Sequence, residues 1–215
     1  MKRLLLLAIA LVPMLTMAQT NDWEIPDENA PKAAQAPKET AEKEEKPQVD
    51  PKYLAGAVPE VDGKVVFERT FEVPGLTAAA AFERMRSLMQ RMTLAKNQLQ
   101  SQVVFADSTE HVVAGSYQEW LEFSRSFISL DRTRFNYHLI AECSDGKVVV
   151  RMQRISYLYD EARNPQHYTA EEWITDKQGL NKKQTKLARI SGKFRRKTID
   201  RKDFIFEQIE KELKK

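Results

Sequence analysis

Between Leu187 and Thr198 the chain reads "LARISGKFRRKT", the end of a run from Lys182 to Lys202 that holds ten Lys and Arg against one acid, Asp200. Cations at this density can neutralise phosphates or other anions, and Lys193, Arg195, Arg196 and Lys197 are the candidate binding residues. Arg195, Arg196 and Lys197 are consecutive, so in any regular element they cannot all face one ligand. Only Phe194 interleaves the charges, whereas nucleic-acid modules combine such charges with exposed aromatics or a recognisable motif. The run therefore reads first as a solvated face. Its second reading is a site for an external polyanion: an anionic glycolipid, a lipid surface or an acidic protein. Nucleic acid is the disfavoured partner.

Residues suited to catalysis are sparse. His111, His138 and His167 belong to different segments, and no pair has the spacing of a metal-binding helix or zinc knuckle. Cys143 closes "LIAEC", where a packed apolar thiol is the commoner role, and its odd separation from His138 puts the two on opposite faces of a strand. No nucleophile elbow surrounds any Ser, and "DGK" and "SGK" are a turn and a fragment rather than a phosphate loop. Glu171 and Glu172 point different ways on a helix and suit its N-terminal dipole. The expectation is a non-catalytic protein with no cofactor and no metal.

The chain start gives an expected address. "MKRLLLLAIALVPMLTMAQT" joins a basic start to an apolar stretch that is too short, and too broken by Pro13, to span a membrane. It ends at Ala18, so residues 1–18 read as a secretory signal cleaved before Gln19, and no later segment is apolar enough for a transmembrane helix. A single cysteine forms no internal disulfide, which leaves stability to the core. Residues 19–58, with "NAPKAAQAPKETAEKEEKPQVDP", lack apolar periodicity and read as a disordered tether holding five Lys against nine acids. Residues 59–215 hold 27 basic and 22 acidic residues and read as a single domain of opposite sign.

Within that domain "KVVFERTFEV" alternates as a half-buried strand, and "PGL" turns the chain into a helix capped by Thr77. Phe82, Met85, Leu88, Met89 and Met92 give that helix one apolar face, which reads as core in preference to a ligand groove. Four strands follow: "QVVFAD", "HVVAGSYQEWLEFS", "RFNYHLIAEC" and "KVVVRMQRISYLYD". The last two are joined by Asp145-Gly146, a strong hairpin signal. Phe135, Tyr137, Leu139, Ala141 and Cys143 share one face, as do Val148, Val150, Met152 and Leu158. The aromatics Tyr117, Trp120, Phe123, Phe127, Tyr157 and Tyr159 could line a pocket, but filling the core against Phe82, Phe204 and Phe206 is the preferred reading. Thr169 and Glu172 form a capping box, and "TIDRKDFIFEQIEKELKK" closes the chain as a helix capped at Thr198 or Asp200. The expected class is α+β: strand, helix, four antiparallel strands, helix, with the helices on one face of a curved sheet.

The opening "VVFERTFEVPGLTAAAAFERMRSLMQRM" and the late stretch "YTAEEWITDKQGLNKKQTKLARISGKFRRKTIDRKDFIF" resemble a family of secreted Gram-negative bacterial proteins, a domain of unknown function with a TATA-box-binding-protein-like fold. The resemblance spans roughly Gly63 to Leu213 and implies the same element order. It implies no activity, and a fold name describes shape without warranting DNA binding. The expected protein is thus an exported binding domain for an unidentified envelope protein or ligand, with the polyanion or membrane-surface binder as the alternative.

Overall fold

The computed structural model describes residues 49–126 and 130–215. The expected signal, residues 19–48 of the expected tether, and Phe127 lie outside the described residues. A small hairpin, β1 (Glu60–Val61) and β2 (Lys64–Val65), precedes β3 (Phe67–Glu72) and α1 (Ala78–Met92). Then come β4 (Gln102–Asp107), β5 (Val112–Arg125), β6 (Leu130–Ser144), β7 (Lys147–Tyr159) and β8 (Gln166–Thr169). Two single-turn helices, α2 (Ala170–Trp173) and α3 (Asp176–Gly179), lead to the long α4 (Gly192–Leu213). The main sheet runs β3-β7-β6-β5-β4 with β8 added beside β7, and every pairing is antiparallel. No helix among the described residues is long and apolar enough to cross a membrane.

Period-two alternation decides which face is covered. Val113, Tyr117 and Leu121 of β5, with Phe135, Tyr137, Leu139 and Ala141 of β6, are buried beneath α1 and α4. The Met-rich stripe of α1 is core, with Met85 and Met89 fully buried. The Thr77 cap, the capping box at Thr169 and the Asp145-Gly146 hairpin all form, and Gly146 takes the positive φ of 72° that the turn requires.

Three local readings change. Arg154 has a φ of 54° and bulges β7, so beyond it Ile155 and Tyr157 face the core and Leu158 does not. Helix α4 begins at Gly192, ahead of Thr198 and Asp200, because burial of Phe194 and Arg195 outweighs the missing side-chain cap. Residues 50–58, the end of the expected tether, fold onto the domain. Asp50 caps the turn Pro51–Tyr53, the Tyr53 hydroxyl donates to Asp200 at 2.7 Å, and Val58 is buried.

Glu119 is a carboxylate on the covered face of β5 with no exposure at all. Arg201 of α4 donates to it from Nε and Nη2, each at 2.7 Å. Asn97 and Gln98, in the connection from α1 to β4, donate to the same group. One carboxylate thereby joins α4, β5 and that connection. Removing one partner of a buried pair strands the other charge. Arg201→Met should therefore cost about 3–5 kcal/mol in equilibrium urea unfolding, and adding Glu119→Leu should restore a large part of it. A single-variant cost below about 1 kcal/mol would mean that the pair does not hold α4.

Candidate functional site

The basic run does not converge on one surface. At about 100° per residue, the first turn of α4 sends its cations to different sides. Lys193 is half-buried, its ammonium 2.7 Å from Asp131 and 3.0 Å from the Tyr159 hydroxyl, over the rings of Phe123 and Tyr159. Arg195 is wholly buried: Nε donates to the Tyr53 carbonyl, Nη1 to that of Ile174, and Nη2 to the Leu54 carbonyl and to Asp176, all within 2.7 Å. Gly179 is needed there because a Cβ would lie 2.8 Å from the Arg195 side chain. Arg196 is exposed over the Tyr53 ring, and Lys197 is half-buried. Arg195 is therefore removed from the candidate binding residues, since it has no water access and four of its five donor hydrogens are engaged within the domain. Arg201 and Lys202 are also paired, with Glu119 and Asp203. Lys182, Lys183, Lys186 and Arg189 are exposed in the connection before α4.

Arg151 and Arg154 lie on β7 and do not extend this run. Arg151 points away from the helices, where it bridges Glu68 and Glu142. The three histidines stay apart: His111 in the turn before β5, His138 on β6 and exposed His167 on β8. Among the described residues no three His, Cys, Asp or Glu gather into a metal-binding group. Cys143 is buried, and burial pushes its thiol up to about 12, away from the thiolate that nucleophilic chemistry needs.

The face of the sheet that the helices leave uncovered has a different character. Ser116, His138 and Gln153 align across β5, β6 and β7, and Gln118, Asn136, Ser156 and Thr169 align in the next row. Gln118 Nε2 donates to Asn136 Oδ1 at 2.9 Å, and Asn136 Nδ2 donates to Ser156 Oγ at 3.3 Å. The Gln118 Oε1 acceptor is shielded from solvent and has no hydrogen-bond partner. Charges flank these rows: Arg132 lies 3.7 Å over the Trp120 ring on one side, and the Arg151 pairs lie on the other. The surface is thus half-buried, uncharged at its centre and rich in donors and acceptors, suited to hydrogen-bonded recognition. The phase of the covered residues determined which positions face this way. The signal that could have marked them as a site is the choice of Ser, Gln, Asn and His where a solvated strand usually carries Lys, Glu or Thr.

Residues 67–158, which include both faces of β3 to β7, match the model of a domain of unknown function (DUF4468) with TBP-like fold. A crystal structure of a DUF4468 family protein from Bacteroides ovatus ATCC 8483 is similar at 44% identity and a TM-score of 0.70, over 75% of this chain and 93% of that one. The chain belongs to the DUF4468 family. The fold extends to a TBP-like protein from Parabacteroides distasonis ATCC 8503, with 17% identity and a TM-score of 0.60 over 73% of this chain and 96% of that one. The family of unknown function with a TBP-like fold and the α+β class, both expected from the sequence, are thereby established. No curated protein matches the chain.

His138 supplies a probe of the uncovered face. Partial burial, and after it the Arg154 charge, hold its imidazole below the ordinary value of 6.5. The unfolded chain therefore takes up a proton first as pH falls, so the folded state loses stability below about pH 6.5 and regains it above. His138→Gln should flatten the fall in unfolding free energy between about pH 7 and pH 5. An identical slope in the variant would show that the surroundings of His138 do not disfavour its charge.

Proposed function

We propose that this chain is an exported, non-catalytic binding domain of the bacterial envelope that recognises its partner with the uncovered face of the sheet. The observation that carries the reading is the two uncharged rows, Ser116–His138–Gln153 and Gln118–Asn136–Ser156, half-buried on a face that no helix packs against. Such groups are partly desolvated already and are held in register by the strands, so a complementary surface binds them at low ordering cost. The apolar start and Ala18 support export. The dispersal of the basic run supports this face over the polyanion reading, since Lys193, Arg195, Arg201 and Lys202 are engaged within the domain.

The test is capture of envelope components on the immobilised protein at low and high salt, with two variants. One carries Gln118→Ala, His138→Ala and Gln153→Ala; the other carries Lys182→Ala, Lys183→Ala and Lys186→Ala. The expected result is salt-tolerant capture that the sheet-face variant loses and the lysine variant keeps. Binding to lipopolysaccharide or anionic vesicles that falls steeply with salt, and is lost only in the lysine variant, would replace this reading with the polyanion one.

A further inference from the structure

Strand β7 lends one edge to two partners in turn. Its residues 147–152 pair with β3 and its residues 156–159 with β8, so Gln153, Arg154 and Ile155 are not strand-paired on that side, where Lys64 and Val66 lie across the gap. A notch of about 560 Å³ opens at this break, lined among others by Lys64, Gln153, Arg154, Ser156 and Glu171. The bulge that makes the break places Arg154 in the left-handed region, with φ at 54°, a conformation that disfavours a long side chain and concentrates at functional positions.

The charges in the notch are unevenly used. Elsewhere in the described residues nearly every arginine has a carboxylate, a carbonyl or a ring as partner; Arg154 has none, and neither has Lys64. Glu171, the acid of the notch, already accepts from the Val65 amide at 2.9 Å. Ser156 Oγ accepts from Asn136, which leaves its hydroxyl hydrogen to donate. Two unpaired cations and a free hydroxyl donor therefore line one cavity, beside an acid that is already hydrogen-bonded.

We propose that the notch between β3 and β8 binds the carboxylate or phosphate group of a small ligand, with the Arg154 guanidinium as its fork and Lys64 as the second cation. A planar guanidinium matches two oxygens of either anion, and an ammonium adds an unoriented charge. Gln153 and Ser156 belong to both the notch and the uncovered face, so the proposal rests on the reading of that face as the binding surface and names the ligand chemistry at its margin.

The experiment is an NMR titration of the full chain with sodium phosphate and with sodium acetate, at an ionic strength held constant with sodium chloride. Saturable shifts of the Gln153, Arg154 and Ser156 amides are expected, weakened at least tenfold by Arg154→Asn and by Lys64→Ala. Asn tolerates the left-handed backbone, so the first variant keeps the bulge, and an unchanged spectrum away from the notch verifies this. Saturation by acetate alone or by phosphate alone supports the site and names its anion. No saturable shift, shifts reproduced by chloride, or unaltered binding in Arg154→Asn overturns the proposal. If envelope capture still depends on the sheet face when the notch stays empty, only this proposal fails. If the notch fills while capture ignores the sheet face, the broader reading fails instead.

Discussion

A guanidinium with no access to water sits at the start of α4, and the placement of everything around it follows from satisfying that charge. Arg195 gives its protons to the carbonyls of Tyr53, Leu54 and Ile174 and to Asp176. Three chain segments far apart in sequence must meet for this to happen: the turn at residues 51–54, the short helices α2 and α3, and α4. A cation in the first turn of a helix opposes the macrodipole by about 0.3–1 kcal/mol. Hydrogen bonds from a charged group contribute about 1.5–3 kcal/mol each, so the bonds prevail over the dipole. Arg201, further along the same helix, repeats the arrangement against Glu119. Helix α4 is therefore positioned by charge as well as by Phe194, Ile199, Ile205 and Ile209.

With α1 and α4 fixed on one side, the other side of the sheet is left to polar residues. Its centre is made of amides, hydroxyls and one imidazole, and its charged residues lie to either side. The arginines of the described residues thus divide into two kinds. Most are tied to acids, carbonyls or rings, while Arg154, raised on a bulge, and Arg189, in the connection before α4, have no such partner. The presence of a partner, and not burial or charge density along the chain, separates these kinds: Arg125 and Arg163 are paired although largely exposed.

That division explains what the sequence could and could not reveal. Strands and the first helix were legible because alternation at period two and an apolar stripe at three- and four-residue steps each admit one packing. Val148, Val150 and Met152 are buried as read, but Leu158 is not, because a one-residue bulge at Arg154 inverts every later position and leaves no mark in composition. Arg195 looked like the middle of a basic patch, since nothing local distinguishes a buried arginine from an exposed one. Its acceptors come from residues 53, 54, 174 and 176. Residues 50–58 read as tether for the same reason: what holds them lies about 140 positions away. The candidate face was legible only as the complement of the core.

The most direct measurement is the equilibrium unfolding of Arg195→Ala beside Arg196→Ala, with amide hydrogen exchange read over residues 53–58. If the basic run is chiefly part of the fold, Arg195→Ala loses about 3 kcal/mol or more and speeds exchange in that segment, because buried acceptors are left without donors. Arg196→Ala, one position along but exposed, stays within about 0.5 kcal/mol of the parent. Equal and small effects of the two substitutions, with exchange at residues 53–58 unchanged, would contradict the burial of Arg195 and return the run to the surface as a candidate site.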